Sequence, residues 1–236
     1  MKVDILAIGV HPDDIELGCS GTLLKHIEQG YTVGLLDLTR GELGSRGSAE
    51  IRTREAHAAA QVLKAKFREN CDMADGFFQH SPENVRKIIK VIRSCQPKIV
   101  LANALSDRHP DHGRAAKLTA DACYYSGLVK IETHDDQGRV QDKWRPEAVY
   151  HYSQDRNVKA DLLVDITDHF AGKMESILCY SSQFYLPKEG EFASEPSTPI
   201  SGKDFLDYQR FKAASYGREA GMELAEAFQV GRVIGV

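Results

Sequence analysis

Two short clusters gather residues that can bind a metal or move a proton. The first is His11-Pro12-Asp13-Asp14, the second Asp107-Arg108-His109-Pro110-Asp111-His112. Each contains a His-Pro-Asp triplet. Imidazole nitrogen and carboxylate oxygen suit Zn²⁺, and a catalytic zinc keeps one position for water. His11, Asp14 and His112 make a two-histidine, one-carboxylate ligand set; Fe²⁺ or Co²⁺ fits the same donors. Neighbouring acids on a turn do not both reach one ion, so Asp13 is left free as a general base. Bound Zn²⁺ lowers the pKa of water from about 15.7 to about 7, within reach of such a base. His109 is expected to face the same cavity, where its imidazolium would stabilise an oxyanion while Asp111 holds its ring. Such parts suit hydrolysis of an amide or ester through a tetrahedral intermediate.

These residues need elements that bring them together. Ile5-Leu6-Ala7-Ile8 precedes the first cluster and Ile99-Val100-Leu101-Ala102 the second. Both runs read as short buried strands. Pro12 cannot donate to a sheet ladder, so the first strand stops there. Ligands of open parallel sheets bind beyond the carboxyl ends of the strands, and one sheet would put both clusters on that edge.

The rest of the chain supports such a sheet. Leu17, Leu23, Leu24 and Ile27 are spaced for a helix ending at Gly30. Gly18 and Gly21 let it approach the sheet; they lack the dinucleotide fingerprint and the P-loop lysine. Cys19 reads as a small buried hydrophobe. A strand over 32–38 runs into a Gly- and Ser-rich loop over 39–48, where Glu42 can meet a polar substrate. A helix over 51–63 places Arg52 in its first turn. A weak strand spans 67–73, and Ser81-Pro82 opens a helix whose core face is Val85, Ile88, Ile89 and Ile92. Another helix spans 115–125. The segment 127–144 is polar and irregular, and His134-Asp135-Asp136 within it reads as a surface turn. Strands follow over 148–152 and 162–166, and Thr167 or Asp168 caps a helix reaching about Ser182. Residues 186–202 contain three of the eight prolines and read as a lid or a subunit contact. A helix runs from Asp204 to about Tyr216, and 230–236 forms a final strand or a docked end. The alternation of strands and helices predicts an α/β fold. It is a doubly wound, mostly parallel sheet flanked by helices, one domain over 1–236 with C-terminal additions.

Composition narrows the partners. The net charge is −4 and no long basic run occurs, so neither nucleic acid nor an anionic membrane is expected as a partner. Five scattered cysteines without a Cys-x-x-Cys pair suit a reducing compartment rather than a disulfide framework. No stretch approaches the ~20 apolar residues of a spanning helix. The first apolar run is too short for a signal peptide, so a cytoplasmic location is expected.

The paired motifs resemble the LmbE/PIG-L family of zinc-dependent N-acetylglucosaminide deacetylases. Thr39-Arg40-Gly41-Glu42-Leu43-Gly44-Ser45-Arg46-Gly47, Ala74-Asp75-Gly76 and Ser181-Ser182-Gln183-Phe184-Tyr185 are similar to its bacillithiol-biosynthesis members. Ile15 stands where much of the wider family has Glu after the paired acids, and in this it is like the bacillithiol-type enzymes. The resemblance implies a Rossmann-like fold, one catalytic Zn²⁺ held by His11, Asp14 and His112, Asp13 as base, and His109 with Asp111 at the oxyanion. It implies Glu42, Arg52, Asp75 and Tyr185 near the substrate, and a homo-oligomer. The implied substrate is a small amino-sugar conjugate, N-acetylglucosaminyl malate, cleaved to glucosaminyl malate and acetate. A chitooligosaccharide or mycothiol-type deacetylase, or an amidase acting on a thiol conjugate, keeps the chemistry and changes the substrate. A metal-buffering or nucleotide-binding module without catalysis is the reading from another class.

Overall fold

Apolar runs bracketed by Gly, Pro and polar residues become the strands of one sheet in the computed structural model, which describes residues 1–185, 192 and 194–231. The strands are β1 (Ile5–Gly9), β2 (Val33–Thr39), β3 (Phe67–Met73), β4 (Ile99–Ala102), β5 (Ala148–Tyr152), β6 (Leu162–Asp165) and β7 (Ala225–Val230). The helices are α1 (Asp14–Glu28), α2 (Ala49–Val62), α3 (Pro82–Cys95), α4 (Pro110–Tyr125), α5 (Phe170–Leu178) and α6 (Lys203–Ala220). Strand order is β3-β2-β1-β4-β5-β7-β6. The first five strands are parallel, and β7 runs antiparallel to β5 and β6. The expected α/β architecture is present.

The order reverses between β1 and β4. The chain winds outward through β2 and β3, then returns to lay β4 on the other side of β1. Ala7 pairs with Leu101, so the carboxyl ends of these two strands lie side by side. That is the switch point at which open α/β sheets bind ligands. Both faces are buried, as parallel sheets require. Leu6, Ile8 and Val100 pack with Ile88, Ile92, Leu118 and Ala122 from α3 and α4. On the other face Ile5, Ala7, Leu35 and Leu101 pack with Ile15, Cys19 and Leu23 from α1. The two-residue period of β1 thus sends alternate side chains into two cores.

Helix α1 lies close to its neighbours because two of its positions lack side chains. A Cβ on Gly18 would strike the Tyr152 ring, and one on Gly21 would strike Ile166. Cys19 is buried in the core beside α1, in keeping with its reading as a hydrophobe. All five cysteines are free. In the polar segment before β5, Asp135 caps the amides of Gln137 and Arg139, the surface turn expected there.

Several boundaries differ from the sequence reading. Helix α4 begins at Pro110 rather than near Ala115, because His109 caps it and Pro110 takes its first position. Neither Thr167 nor Asp168 caps a long helix. Residues Thr167–His169 form a 3₁₀ turn, and α5 runs only from Phe170 to Leu178. The Asp165 carboxylate binds the Thr167 amide and hydroxyl, which favours the tight turn. The last strand ends at Val230, where the sequence suggested that it begins. Residues 232–236, and residues 186–191 and 193 of the expected lid, lie outside the described residues. No helix among the described residues is long and apolar enough to cross a membrane.

A buried ion cluster joins α1 to the sheet. Arg68 on β3 donates from Nε and Nη2 to both oxygens of Asp37 on β2, at 2.7 and 2.8 Å, and from Nη1 to Glu16 on α1 at 2.6 Å. Removing one partner of such a pair strands the others without water. Arg68→Ala is therefore expected to destabilise the protein by about 3–5 kcal/mol. Urea unfolding would measure this, and a loss below about 1 kcal/mol would mean that the cluster does not anchor α1.

Candidate active site

The two His-Pro-Asp triplets fold differently. After β1, the amide of Asp14 donates to His11 O at 3.2 Å, closing a turn with Pro12 and Asp13 at its corner. Proline suits the first corner of such a turn and glycine the second. Asp13 fills the second corner with φ 119° and ψ −25°, a conformation that costs a non-glycine residue about 1–3 kcal/mol. The strain places two consecutive carboxylates at the start of α1. In the second triplet Pro110 is the first residue of α4, and His109 caps it by accepting the Asp111 amide at Nδ1, 3.3 Å away.

The residues proposed as ligands converge. Asp14 Oδ1 is 3.3 Å from His112 Nε2, and Asp14 Oδ2 is 3.7 Å from His11 Nδ1. The outer nitrogen of each ring faces a carboxylate. His112 Nδ1 lies 2.6 Å from Asp107 Oδ2, and His11 Nε2 lies 3.0 Å from Asp75 Oδ1 and 3.6 Å from Asp111 Oδ2. Carboxylates on the outer nitrogens of metal-binding histidines fix ring orientation and tautomer. His109 closes the group, its ring stacked on that of His112 with centroids 5.2 Å apart. One nitrogen from each of His11, His109 and His112 lies within 4.8 Å of the others, so three rings and Asp14 surround a space able to hold a cation.

Asp13 has a different partner. Arg52 at the start of α2 donates from Nη2 to Asp13 Oδ2 at 2.9 Å and to Pro12 O at 2.6 Å, and from Nη1 to Gly41 O at 3.2 Å. Gly41 has φ +65°, and a Cβ there would meet the guanidinium. Asp13 and Arg52 line a cavity of about 350 Å³ with the three histidines and Asp14; its walls include Leu17, Leu43, Ile200 and Phe205, and Arg46 and Arg108 also border it.

The comparisons with known proteins fit this geometry. Residues 6–123, half of the chain, match the family described as PIG-L, GlcNAc-PI de-N-acetylase. The chain belongs to the PIG-L family. It is an enzyme of a family of amide hydrolases. A conserved protein from Thermus thermophilus has a similar crystal structure, with TM-score 0.85 and 31% identity over 99% of this chain and 97% of that one. Diacetylchitobiose deacetylase of Thermococcus kodakarensis is 28% identical over 95% of this chain and 82% of its own. A 4-oxalmesaconate hydratase of Pseudomonas putida is 27% identical over 77% of this chain and 74% of its own.

Four residues expected at the substrate of this PIG-L protein divide evenly. Arg52 and Asp75 line the cavity, and both are bound to site residues. Glu42 and Tyr185 do not line it. Glu42 instead accepts the amides of Asp75 and Arg40, which shapes the loop after β2. Tyr185 is exposed. The expected Asp111–His109 pair also needs correction. The Asp111 carboxylate accepts the Gly76 amide at 2.9 Å and faces His11, while only its backbone amide meets the His109 ring. Its place in the first turn of α4 turns the side chain away from the residue that caps that turn. Two residues outside both motifs also reach the centre, Asn103 just after β4 and Gln154 just after β5. Their only sequence signal is a polar residue at the end of an apolar strand.

The electrostatics of this PIG-L site are those of a pocket short of positive charge. Five aspartates, Asp13, Asp14, Asp75, Asp107 and Asp111, crowd the ends of β1, β3 and β4, and Asp13, Asp14, Asp75 and Asp111 are buried. Burial alone would pull the His11 pKa down, but hydrogen bonds to Asp111 and Asp75 and the charge of Asp14 raise it to about 10. His112 likewise rises to about 9 against its burial, through Asp14 and Asp107. Asp14 falls well below the usual carboxylate range despite burial, because His112 and His11 favour its charge. Asp13 is raised to about 7 by burial, partly offset by Arg52 and reinforced by Asp14. His109 moves down through burial and the charges of His11 and His112, a direction that favours its uncharged form. The raised histidines offset part of the acidic charge. Two imidazoles and a carboxylate in an acidic pocket are a donor set that fits a divalent cation.

These shifts predict how chelator-treated protein responds to pH. His11 and His112 titrate higher when folded than the ordinary 6.5, so their stabilisation is complete below pH 6.5 and disappears as pH rises through about 9 and 10. Asp13, raised to about 7, acts in the same direction. Asp14 and Asp107 are already ionised throughout this window. The Tm of metal-free protein is therefore expected to fall between pH 6.5 and 10, and scanning calorimetry at stepped pH that found a rise instead would contradict the charge balance.

Proposed function

We propose that this protein is a zinc-dependent hydrolase that removes the N-acetyl group from an N-acetylglucosaminide, with N-acetylglucosaminyl malate as its substrate in bacillithiol biosynthesis. One observation supports this most: His11, Asp14 and His112 converge at the base of a cavity while a second acid, Asp13, stands beside them with a pKa near 7. His11, Asp14 and His112 would hold the ion. When bound, Zn²⁺ polarises the acetyl carbonyl and makes water more acidic.

The protein's own groups supply the rest. Asp13 accepts the proton of the attacking water, and its raised pKa suits a base working near neutral pH. Arg52 fixes the carboxylate and keeps the strained corner from turning outward. His109 accepts the Asp111 amide at Nδ1, so its neutral ring carries the proton on Nε2. His109 lines the cavity, and that N–H donates to the oxyanion of the tetrahedral intermediate, a role that needs no charge on the ring. Protonated Asp13 then gives its proton to the departing nitrogen. The carbon–nitrogen bond breaks, and acetate and the free amine leave.

Support for the malate conjugate comes from the loops that resemble bacillithiol-type enzymes and from Arg108 bordering the cavity, a cation suited to a carboxylate-bearing aglycone. Arg108 Nε donates to Asp155 at 2.7 Å. Chitooligosaccharide is the second reading, favoured by the Thermococcus deacetylase, which covers nearly all of this chain. The protein offered both substrates, with free amine and acetate measured, separates them. Release from diacetylchitobiose alone would end the malate assignment. A hydratase, as in the Pseudomonas relative, releases acetate from neither.

Asp13→Asn is expected to retain zinc and lose about 10²–10⁴-fold in kcat. Asp14→Ala is expected to lose the metal itself. Metal content by mass spectrometry and turnover are measured together. Full activity of Asp13→Asn refutes the base, and zinc retained by Asp14→Ala refutes the ligand set. Chelation is expected to abolish turnover and added Zn²⁺ to restore it.

A further inference from the structure

We infer that Gln154 and Asn103 form an amide clamp that positions Asp14 to receive a divalent cation; the inference rests on the metal-binding reading of the site proposed above. Neither residue belongs to a motif, yet both are buried and both donate to the Asp14 carboxylate.

Three neutral donors grip Asp14. Oδ2 accepts the His11 amide at 2.9 Å and Asn103 Nδ2 at 3.0 Å. Oδ1 accepts Gln154 Nε2 at 2.9 Å. The direction of the Gln154 amide is dictated from behind. Its Oε1 accepts both the Ala104 amide and Asn103 Nδ2, each at 3.0 Å, so its nitrogen faces Asp14. That nitrogen also lies 3.2 Å from His112 Nε2, so Gln154 touches two of the three proposed ligands.

Asn103 shows what this arrangement costs. Its Nδ2 serves Asp14 and Gln154, while its Oδ1 is buried with no hydrogen-bond partner. A buried acceptor left unsatisfied is destabilising. Reversing the amide would aim an oxygen at the carboxylate, so the orphaned atom follows from giving the nitrogen to Asp14. The backbone is pinned too, as His151 Nδ1 bonds Asn103 O at 2.8 Å.

The clamp has a physical purpose. Asp14 lies between the His112 and His11 rings, 3.3 and 3.7 Å from its two oxygens, and a carboxylate free to rotate would not hold that position between them. Amides hold it without adding charge, so its negative charge is kept for the cation. Neutral donors behind a ligand fix its geometry without competing for its charge.

The test uses Gln154→Met, nearly isosteric but without donors, and Asn103→Ser, which shortens the donor. Zn²⁺ affinity is measured by chelator competition, the visible spectrum is recorded for the Co²⁺-substituted proteins, and Tm is measured metal-free. Each variant is expected to weaken Zn²⁺ binding by about 10–100-fold, with an altered Co²⁺ spectrum. In the double variant the losses are expected to be less than additive, because both residues act on one carboxylate. Either folded variant binding Zn²⁺ within about tenfold of the wild type, or an unchanged Co²⁺ spectrum, overturns the clamp. Wild-type protein that binds no Zn²⁺ sinks the metal reading instead, and so the two failures are distinct.

Discussion

The structure is organised around one constraint: negative charge gathered where water is scarce must be answered group by group. Each of the five aspartates at the switch point has its own partner. Asp13 has Arg52, and Asp14 has three neutral donors at the start of α1. Asp75 takes the Leu43 amide, Asp111 the Gly76 amide and the nearby Arg114, and Asp107 the Arg156 amide with the His112 ring. Asp14 and Asp111 also lie in the first turns of α1 and α4, where the helix dipole favours anions. Most of these partners are backbone amides or neutral side chains, which orient charge without cancelling it. What is left over raises the two histidines, and a bound cation would take the place of those protons.

The differences between the two acids of the first motif follow from the same constraint. Asp14 is held by donors and faces two imidazoles, so it stays ionised and suits a ligand. Asp13 is buried against Asp14 and meets one guanidinium, so it titrates near neutrality and suits proton transfer. Adjacent residues acquire opposite chemistry because the turn gives them different partners.

The strands and most helices were legible because apolar runs and turn residues declare them locally. Ile99–Ala102 has the same limits in sequence and structure. The convergence of His11 and His112 was legible through topology, since both motifs end strands of one parallel sheet. The identical triplets misled in one respect, because local sequence could not say that one would form a strained turn and the other a helix start. That difference decides why Asp13 meets Arg52 and why Asp111 turns from His109 to His11. Asn103 and Gln154 were not legible. A lone amide after a strand is common, and its meaning depends on pairing across β1, β4 and β5. The short α5 was missed because Asp165 captures Thr167 before it can cap.

A strained corner at Asp13 persists only if its surroundings leave no alternative. Helix α1 provides that fixity, because buried charge holds it along its length. Arg68 holds Glu16 in its first turn. Further along, Lys173 Nζ donates to the carbonyls of Glu16 and Leu17 at 3.2 and 2.7 Å and to Glu226 Oε1 at 2.6 Å. Glu226 in turn accepts the amides of Gly21 and Thr22 at 3.1 and 2.7 Å. An ion pair from α5 and β7 thus clasps α1 at backbone atoms, which no change of side chain on α1 can release. Gly18 and Gly21 admit the close packing against Tyr152 and Ile166, and the Tyr152 hydroxyl bonds Ile8 O on β1 at 2.8 Å. The C-terminal elements beyond the parallel sheet therefore act on the site without entering its centre. They fix the helix whose first residue is Asp14, and a helix that cannot shift cannot relax the turn that precedes it.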